Sequence, residues 1–221
     1  MTVACPRPET WGVYLITARS QTGGRPLLEV VAHALRGGIR AVQLRERELA
    51  TRELLALAES LRALTRQHGA ALLVNDRVDV ALACDADGVH LPARSFAVAD
   101  ARRLLGAQRL IGVSTHAPAE LSAADAAGAD FAVFGPLYDT PSKRTYGSAL
   151  GPAALADARR ATALPLFAIG GLDLERVTDV HAHGADGVAV IRAVLAAADP
   201  AAAAAALLGR CAASRRRGND R

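Results

Sequence analysis

The chain has 221 residues, of which 51% are hydrophobic and 4% aromatic, and a formal charge of +4. That length suits one α/β domain with a sizeable core and is short for two, and abundant alanine with few aromatics fits short helices on a sheet better than a β-sandwich. The charge sits mainly in Arg215, Arg216, Arg217 and Arg221, offset locally by Asp220, so the body is nearly neutral and no nucleic-acid partner is indicated.

Residues 214–221 read as a basic disordered tail, and residues 1–12, with proline and charge in place of an apolar run, as an N-terminal extension rather than a signal peptide. Cys5, Cys84 and Cys211 are odd in number and lack paired spacing, which argues against a disulfide framework or a zinc site and for a reducing compartment. No segment reaches ~20 uninterrupted apolar residues. A cytoplasmic protein with no membrane partner is expected.

Between these ends, short apolar runs alternate with segments of helical period, as successive βα units do. Strands are predicted at residues 13–17, 41–45, 71–75, 88–91, 110–114, 131–134, 166–169 and 187–191. Residues 51–67 carry Leu54, Leu55, Leu57, Leu61 and Leu64 on one face, with Arg52, Glu53, Glu59 and Arg62 on the other. Glycines at 37–38, 69, 106, 128 and 184 stand just before strands, as glycine does at helix ends. The turns Asp85-Ala86-Asp87-Gly88-Val89, Ala127-Gly128-Ala129-Asp130-Phe131 and His183-Gly184-Ala185-Asp186-Gly187-Val188 echo one another. Eight such units predict a single-domain α/β fold, a (β/α)8 TIM barrel over residues 13–213. The competing doubly wound sheet lacks a Gly-x-Gly-x-x-Gly after its first strand.

In such a barrel, polar residues at strand C-termini converge on one rim, where the active site lies. The second strand ends in Gln43, Arg45, Glu46 and Arg47, and alternation would put Gln43, Arg45 and Arg47 on one face to grip an anion. The third ends in Asn75 and Asp76, the latter a hard-cation ligand or, equally, a helix N-cap. His90 on the fourth reads as structural, while His116, after Ser114 and Thr115 on the fifth, is a general acid–base candidate. Residues 135–151 form a polar loop with Thr140, Ser142, Lys143 and Arg144; Tyr146 in it reads as a core or lid residue. Gly170-Gly171 and Ile191-Arg192 end the last two strands, where barrels commonly bind phosphate.

Seven motifs in order, Gln43-Leu44-Arg45-Glu46-Arg47, Val74-Asn75-Asp76-Arg77-Val78-Asp79, Ala86-Asp87-Gly88-Val89-His90-Leu91, Gly112-Val113-Ser114-Thr115-His116, Phe134-Gly135-Pro136, Thr140-Pro141-Ser142-Lys143 and Ala168-Ile169-Gly170-Gly171, resemble the thiamine phosphate synthase/TenI family. The resemblance implies a thiamine biosynthesis enzyme acting on a small phosphorylated heterocycle. For the synthase activity it implies that Gln43, Arg45, Arg47, Asn75 and Lys143 hold a pyrimidine pyrophosphate and Asp76 a Mg2+. Ser114, Thr140, Ser142, Gly170, Gly171, Ile191 and Arg192 then hold thiazole phosphate.

Two departures turn this expectation toward a TenI-like thiazole tautomerase. Arg47 stands where the synthase usually has lysine, and Pro92-Ala93-Arg94-Ser95-Phe96 lacks the synthase's second metal-binding carboxylate. A tautomerase needs no cofactor, only a positioned acid–base, His116, and a phosphate cradle. The synthase, with Mg2+ on Asp76 alone, is the alternative. A non-catalytic ligand-binding regulator is the third reading, distinguished by saturable thiazole phosphate binding that leaves the ligand unchanged. Barrels of this size often pack through their outer helices, so a homo-oligomer is compatible with this reading.

Overall fold

The computed structural model describes residues 5–139 and 149–219. Eight parallel strands close into a barrel: β1 (Val13–Ile16), β2 (Ala41–Leu44), β3 (Ala71–Asn75), β4 (Gly88–Leu91), β5 (Leu110–Thr115), β6 (Phe131–Phe134), β7 (Leu166–Ile169) and β8 (Gly187–Val190), with β8 pairing back onto β1. All eight are almost wholly buried, as both faces of a parallel sheet must be when helices cover the outside. The connecting helices are α1 (Leu27–Arg36), α2 (Thr51–Gln67), α3 (Val78–Ala83), α4 (Val98–Leu105), α5 (Pro118–Ala126), α6 (Ala154–Arg160), α7 (Val177–Ala182), α8 (Arg192–Leu195) and α9 (Pro200–Asn219). The predicted strands match to within a residue at their ends.

The core has two compartments. The larger lies between barrel and helices; in α2 its stripe is Leu54, Ala58, Leu61 and Thr65, with Leu55, Leu57 and Leu64 packed at its edge. The smaller fills the barrel: Tyr14, Phe131 and Phe167 interdigitate with Ala41, Ala71 and Ala189. Bulk on one strand demands its absence on the next. A Cβ on Gly112 would sit 2.1 Å from the Phe131 ring, so only glycine fits there.

The floor of the barrel is closed by Trp11, which is fully buried against Tyr14, Phe131 and Phe167 at ring separations of 5.0 to 5.7 Å. Residues 5–12 are thus part of the fold, with the Trp11 indole N–H anchored on Pro6 O at 2.9 Å. The C-terminus departs from the expected disordered tail. Helix α9 runs to Asn219, burying Ala204, Leu207 and Cys211, and Arg215 donates to the carbonyls of Asp186 and Glu9 at the barrel floor. Alanine-rich sequence favours the helix, and a guanidinium finding backbone acceptors holds its last turns.

The three echoing turns share a device the motif alone did not disclose. Asp87, Asp130 and Asp186, just before β4, β6 and β8, each accept a backbone N–H from the first two residues of the preceding strand: Leu72 at 2.8 Å, Ile111 at 2.7 Å and Leu166 at 2.8 Å. Each also pairs with an arginine from a covering helix, Arg62, Arg102 and Arg159 respectively. These clamps tie even strands to odd ones at the end of the barrel remote from its mouth, where such folds keep residues for stability. Among the described residues, no helix is long and apolar enough to cross a membrane.

Candidate active site at the barrel mouth

Strand β2 stops at Leu44, one residue short of the expected end, and this breaks the proposed alternation of Gln43, Arg45 and Arg47. Gln43 points into the barrel, 1% exposed, its amide donating to the Tyr14 hydroxyl at 3.1 Å. Arg45 is the first residue past the strand, its N–H on Thr17 Oγ1 at 2.9 Å and its charge felt by His90. Arg47 lies exposed in the following turn. Between them Glu46 turns inward, where it accepts the Arg19 N–H at 3.0 Å and burial raises its carboxyl pKa. The chain bends to bury Glu46, so Gln43 and Arg45 belong to the mouth and Arg47 to its edge.

At the end of β3, Asn75 is half-buried and Asp76 is exposed in a left-handed conformation, φ 67°. A non-glycine residue held there costs energy and invites a functional reading. The N-cap alternative is not realised. Helix α3 begins at Val78 after Arg77 and takes no side-chain cap. Instead the Asp76 N–H donates to His90 O at 2.9 Å and its carboxylate accepts from the Ser95 hydroxyl. Ser95 thus stands beside Asp76, at the place a second carboxylate would take.

His90, from β4, is 2% exposed with its ring near Tyr14 and Phe131. Burial, then the Arg45 charge, push its pKa down to about 3, so it is neutral at physiological pH. Its Nε2 lies 2.9 Å from Ser114 Oγ on β5. Because the unfolded chain takes up this proton near pH 6.5 and the folded one does not, the stability tied to His90 is complete above pH 6.5 and lost as pH falls toward 3. Between pH 7 and 5 the wild type is expected to lose about 2 kcal/mol more than His90→Gln in urea unfolding; equal losses would show that His90 ionises freely in the fold.

His116, just beyond β5, is exposed, with its N–H on Glu120 Oε2 at 2.7 Å and its Nδ1 on Gly135 O. A carbonyl only accepts, so Nδ1 carries a proton and Nε2 is the ring nitrogen left for acid–base work. Thr140, Ser142, Lys143, Arg144 and Tyr146 lie outside the described residues.

Across the mouth, Gly170 and Gly171 are both left-handed, at φ 99° and 65°. A Cβ on either would fall within 2.8 Å of Pro136 or Tyr138, so glycine is required there for packing against the chain after β6 as much as for any ligand. Ile191 is half-buried and Arg192 exposed at the start of α8. Tyr138, which the sequence did not single out, secures this side: its hydroxyl donates to Asp179, and Arg176 lies 4.4 Å over its ring while also holding Gly171 O. Gln43, Arg45, Asn75, Asp76, His90, Ser95 and Ser114 therefore gather on the β2–β5 side, with glycine backbone and Arg192 on the β7–β8 side.

The chain is similar to known proteins over most of its length. The model of a family described as thiamine monophosphate synthase matches residues 13–194. A Geobacter sulfurreducens protein named putative thiamine-phosphate synthase is 52% identical, covering 90% of this chain and 93% of its own. The thiamine-phosphate synthase of Moorella thermoacetica is 45% identical over 88% of this chain and 92% of its own. Among solved structures, thiamine phosphate pyrophosphorylase from Pyrococcus furiosus superposes with a TM-score of 0.85 at 33% identity, covering 94% of this chain and 98% of its own.

Proposed function

Because the chain belongs to the thiamine monophosphate synthase family, we propose that it is the synthase itself, joining a hydroxymethylpyrimidine pyrophosphate to thiazole phosphate with release of pyrophosphate. This reverses the order of the two readings drawn from the motifs: the relatives carry the synthase name, and nothing among them favours the tautomerase. The observation that carries the proposal is Asn75 and Asp76 ending β3 on the same side of the mouth as Arg45 and Gln43. A proton shift on thiazole phosphate makes no use of that set, whereas a departing diphosphate does.

In the coupling, the bond from the pyrimidine methylene to the diphosphate oxygen breaks, its electron pair leaving with pyrophosphate, and the thiazole nitrogen lone pair forms the new C–N bond. No proton transfer is required, so the chain's task is charge and position. Arg45, Lys143 and Asn75 meet the negative charge that grows on the diphosphate. Gln43, pinned by Tyr14, presents a fixed amide beneath it. The packed layer of Tyr14, Phe131 and Phe167 keeps the barrel interior dry below the reacting carbon.

The donor set fits Mg2+ as an ion carried largely by the substrate. Asp76 gives one carboxylate and Ser95 a hydroxyl, and the described residues contain no cluster of three or more His, Cys, Asp or Glu. Mg2+ usually keeps several waters and binds through one or two carboxylates plus substrate phosphates. Bound there, it would neutralise diphosphate charge. Ser95→Asp is therefore expected to lower the Mg2+ concentration for half-maximal turnover about tenfold, with a matching gain in Mn2+ affinity in the presence of inorganic pyrophosphate; no change in either would separate Ser95 from the metal.

The deciding assay is thiamine phosphate formation by purified protein given Mg2+, the pyrimidine pyrophosphate and already aromatic thiazole phosphate. Product at enzymatic rates is expected. Its absence, in protein that still binds thiazole phosphate, would return the chain to the tautomerase reading with His116 as acid–base.

A further inference from the structure

His90 has no part in the coupling described above, yet it is a buried polar side chain on β4 below the mouth that lacks a full set of partners. Its Nε2 meets Ser114 Oγ at 2.9 Å, while its Nδ1 is buried with no hydrogen-bond partner among the described residues. A neutral imidazole carries one proton, and the two placements differ in what they ask of Ser114. With the proton on Nδ1, a buried N–H goes unsatisfied and Nε2 must take the serine proton. With the proton on Nε2, only a lone pair goes unsatisfied, and Ser114 accepts at its oxygen. Orphaned buried N–H groups are the rarer defect, which selects the second arrangement.

We propose that His90 is a positioning residue: as the Nε2–H tautomer it donates to Ser114 Oγ and so commits the Ser114 hydroxyl proton to an anionic oxygen of the phosphorylated substrate at the mouth. The inference rests on the mouth being a phosphorylated-substrate site. A free serine hydroxyl donates or accepts with equal ease, but a phosphate oxygen only accepts. Ser114 is half-buried at the C-terminal end of β5, and a hydroxyl already turned to donate has no rotor to reorganise when substrate arrives. The packed rings of Tyr14 and Phe131 hold the imidazole in place for this.

Long-range proton–nitrogen spectra of the full chain labelled at histidine nitrogen read the tautomer directly, His90 being identified by the signals missing in His90→Gln. Expected is a protonated Nε2 and an unprotonated Nδ1; the reverse overturns the inference. A second measurement is calorimetric binding of thiazole phosphate to wild type, Ser114→Ala, His90→Leu, the double variant and His90→Gln. Each single loss is expected to weaken binding about tenfold, the double variant to bind no worse than Ser114→Ala, and His90→Gln, which keeps an N–H, to recover most of the affinity. Additive losses overturn the inference, as does a wild type that binds no thiazole phosphate. Should His90→Leu fail to fold, the tautomer and His90→Gln decide. Coupled binding with an Nε2 proton but no thiamine phosphate formed would sink the synthase reading alone, and an Nδ1 proton in an active synthase would sink this inference alone.

Discussion

Asp76→Asn is expected to lower thiamine phosphate formation by ~10³-fold while leaving the thermal midpoint nearly unchanged. Asparagine tolerates the left-handed backbone that Asp76 adopts at φ 67°, and its amide oxygen can still accept from Ser95, so the exchange removes charge and little else. Among the residues that meet at the β2–β5 side of the mouth, Asp76 alone supplies a negative charge for a cation. The control is Mg2+-dependent binding of inorganic pyrophosphate, which should lose its Mg2+ dependence in the variant. A fall in turnover under tenfold, with Mg2+ dependence intact, would remove Asp76 as the ion's ligand.

The fold was legible because its signals are local and repeated. Eight apolar runs spaced by amphipathic helices dictate the barrel, and a strand buried on both faces shows as an unbroken apolar run. What escaped the sequence depends on groups far apart in the chain. Trp11 looked like part of an extension because its partners, Tyr14, Phe131 and Phe167, meet only once the barrel closes. Arg215 looked like a solvated charge because its acceptors are backbone carbonyls at Asp186 and Glu9, which no side-chain pattern advertises.

The site was legible by position and less so by role. Asn75, Asp76, Ser114 and His116 stand at strand ends as the barrel rule requires. Arg47 was misplaced because extrapolating β2 took no account of Glu46 turning inward to meet Arg19. The glycines after β7 were assigned to a ligand, although their contacts with Pro136 and Tyr138 already require them. Ser95 weighed toward the tautomerase because its sequence shows only a missing carboxylate. The structure adds that its hydroxyl donates to the Asp76 carboxylate, so the position stays beside the residue proposed to hold the ion.

Asp87→Ala is expected to be the most destabilising of the three clamp substitutions, by about 4 kcal/mol. Asp87 and Arg62 are only 12% and 13% exposed, so removing the carboxylate leaves a guanidinium nearly out of water, with its Nε already lacking a partner, and frees the Leu72 N–H as well. The Asp130–Arg102 pair is 34% and 25% exposed and the Asp186–Arg159 pair 44% and 29%, so water compensates more of each loss. Urea unfolding should therefore rank the alanine variants Asp87 worst, then Asp130, then Asp186, and a reversed order would show that strand tethering outweighs charge burial. Because the clamps sit at the end of the barrel away from the mouth, turnover per folded molecule should stay near wild type in all three, which separates the residues that hold the barrel from those that use it.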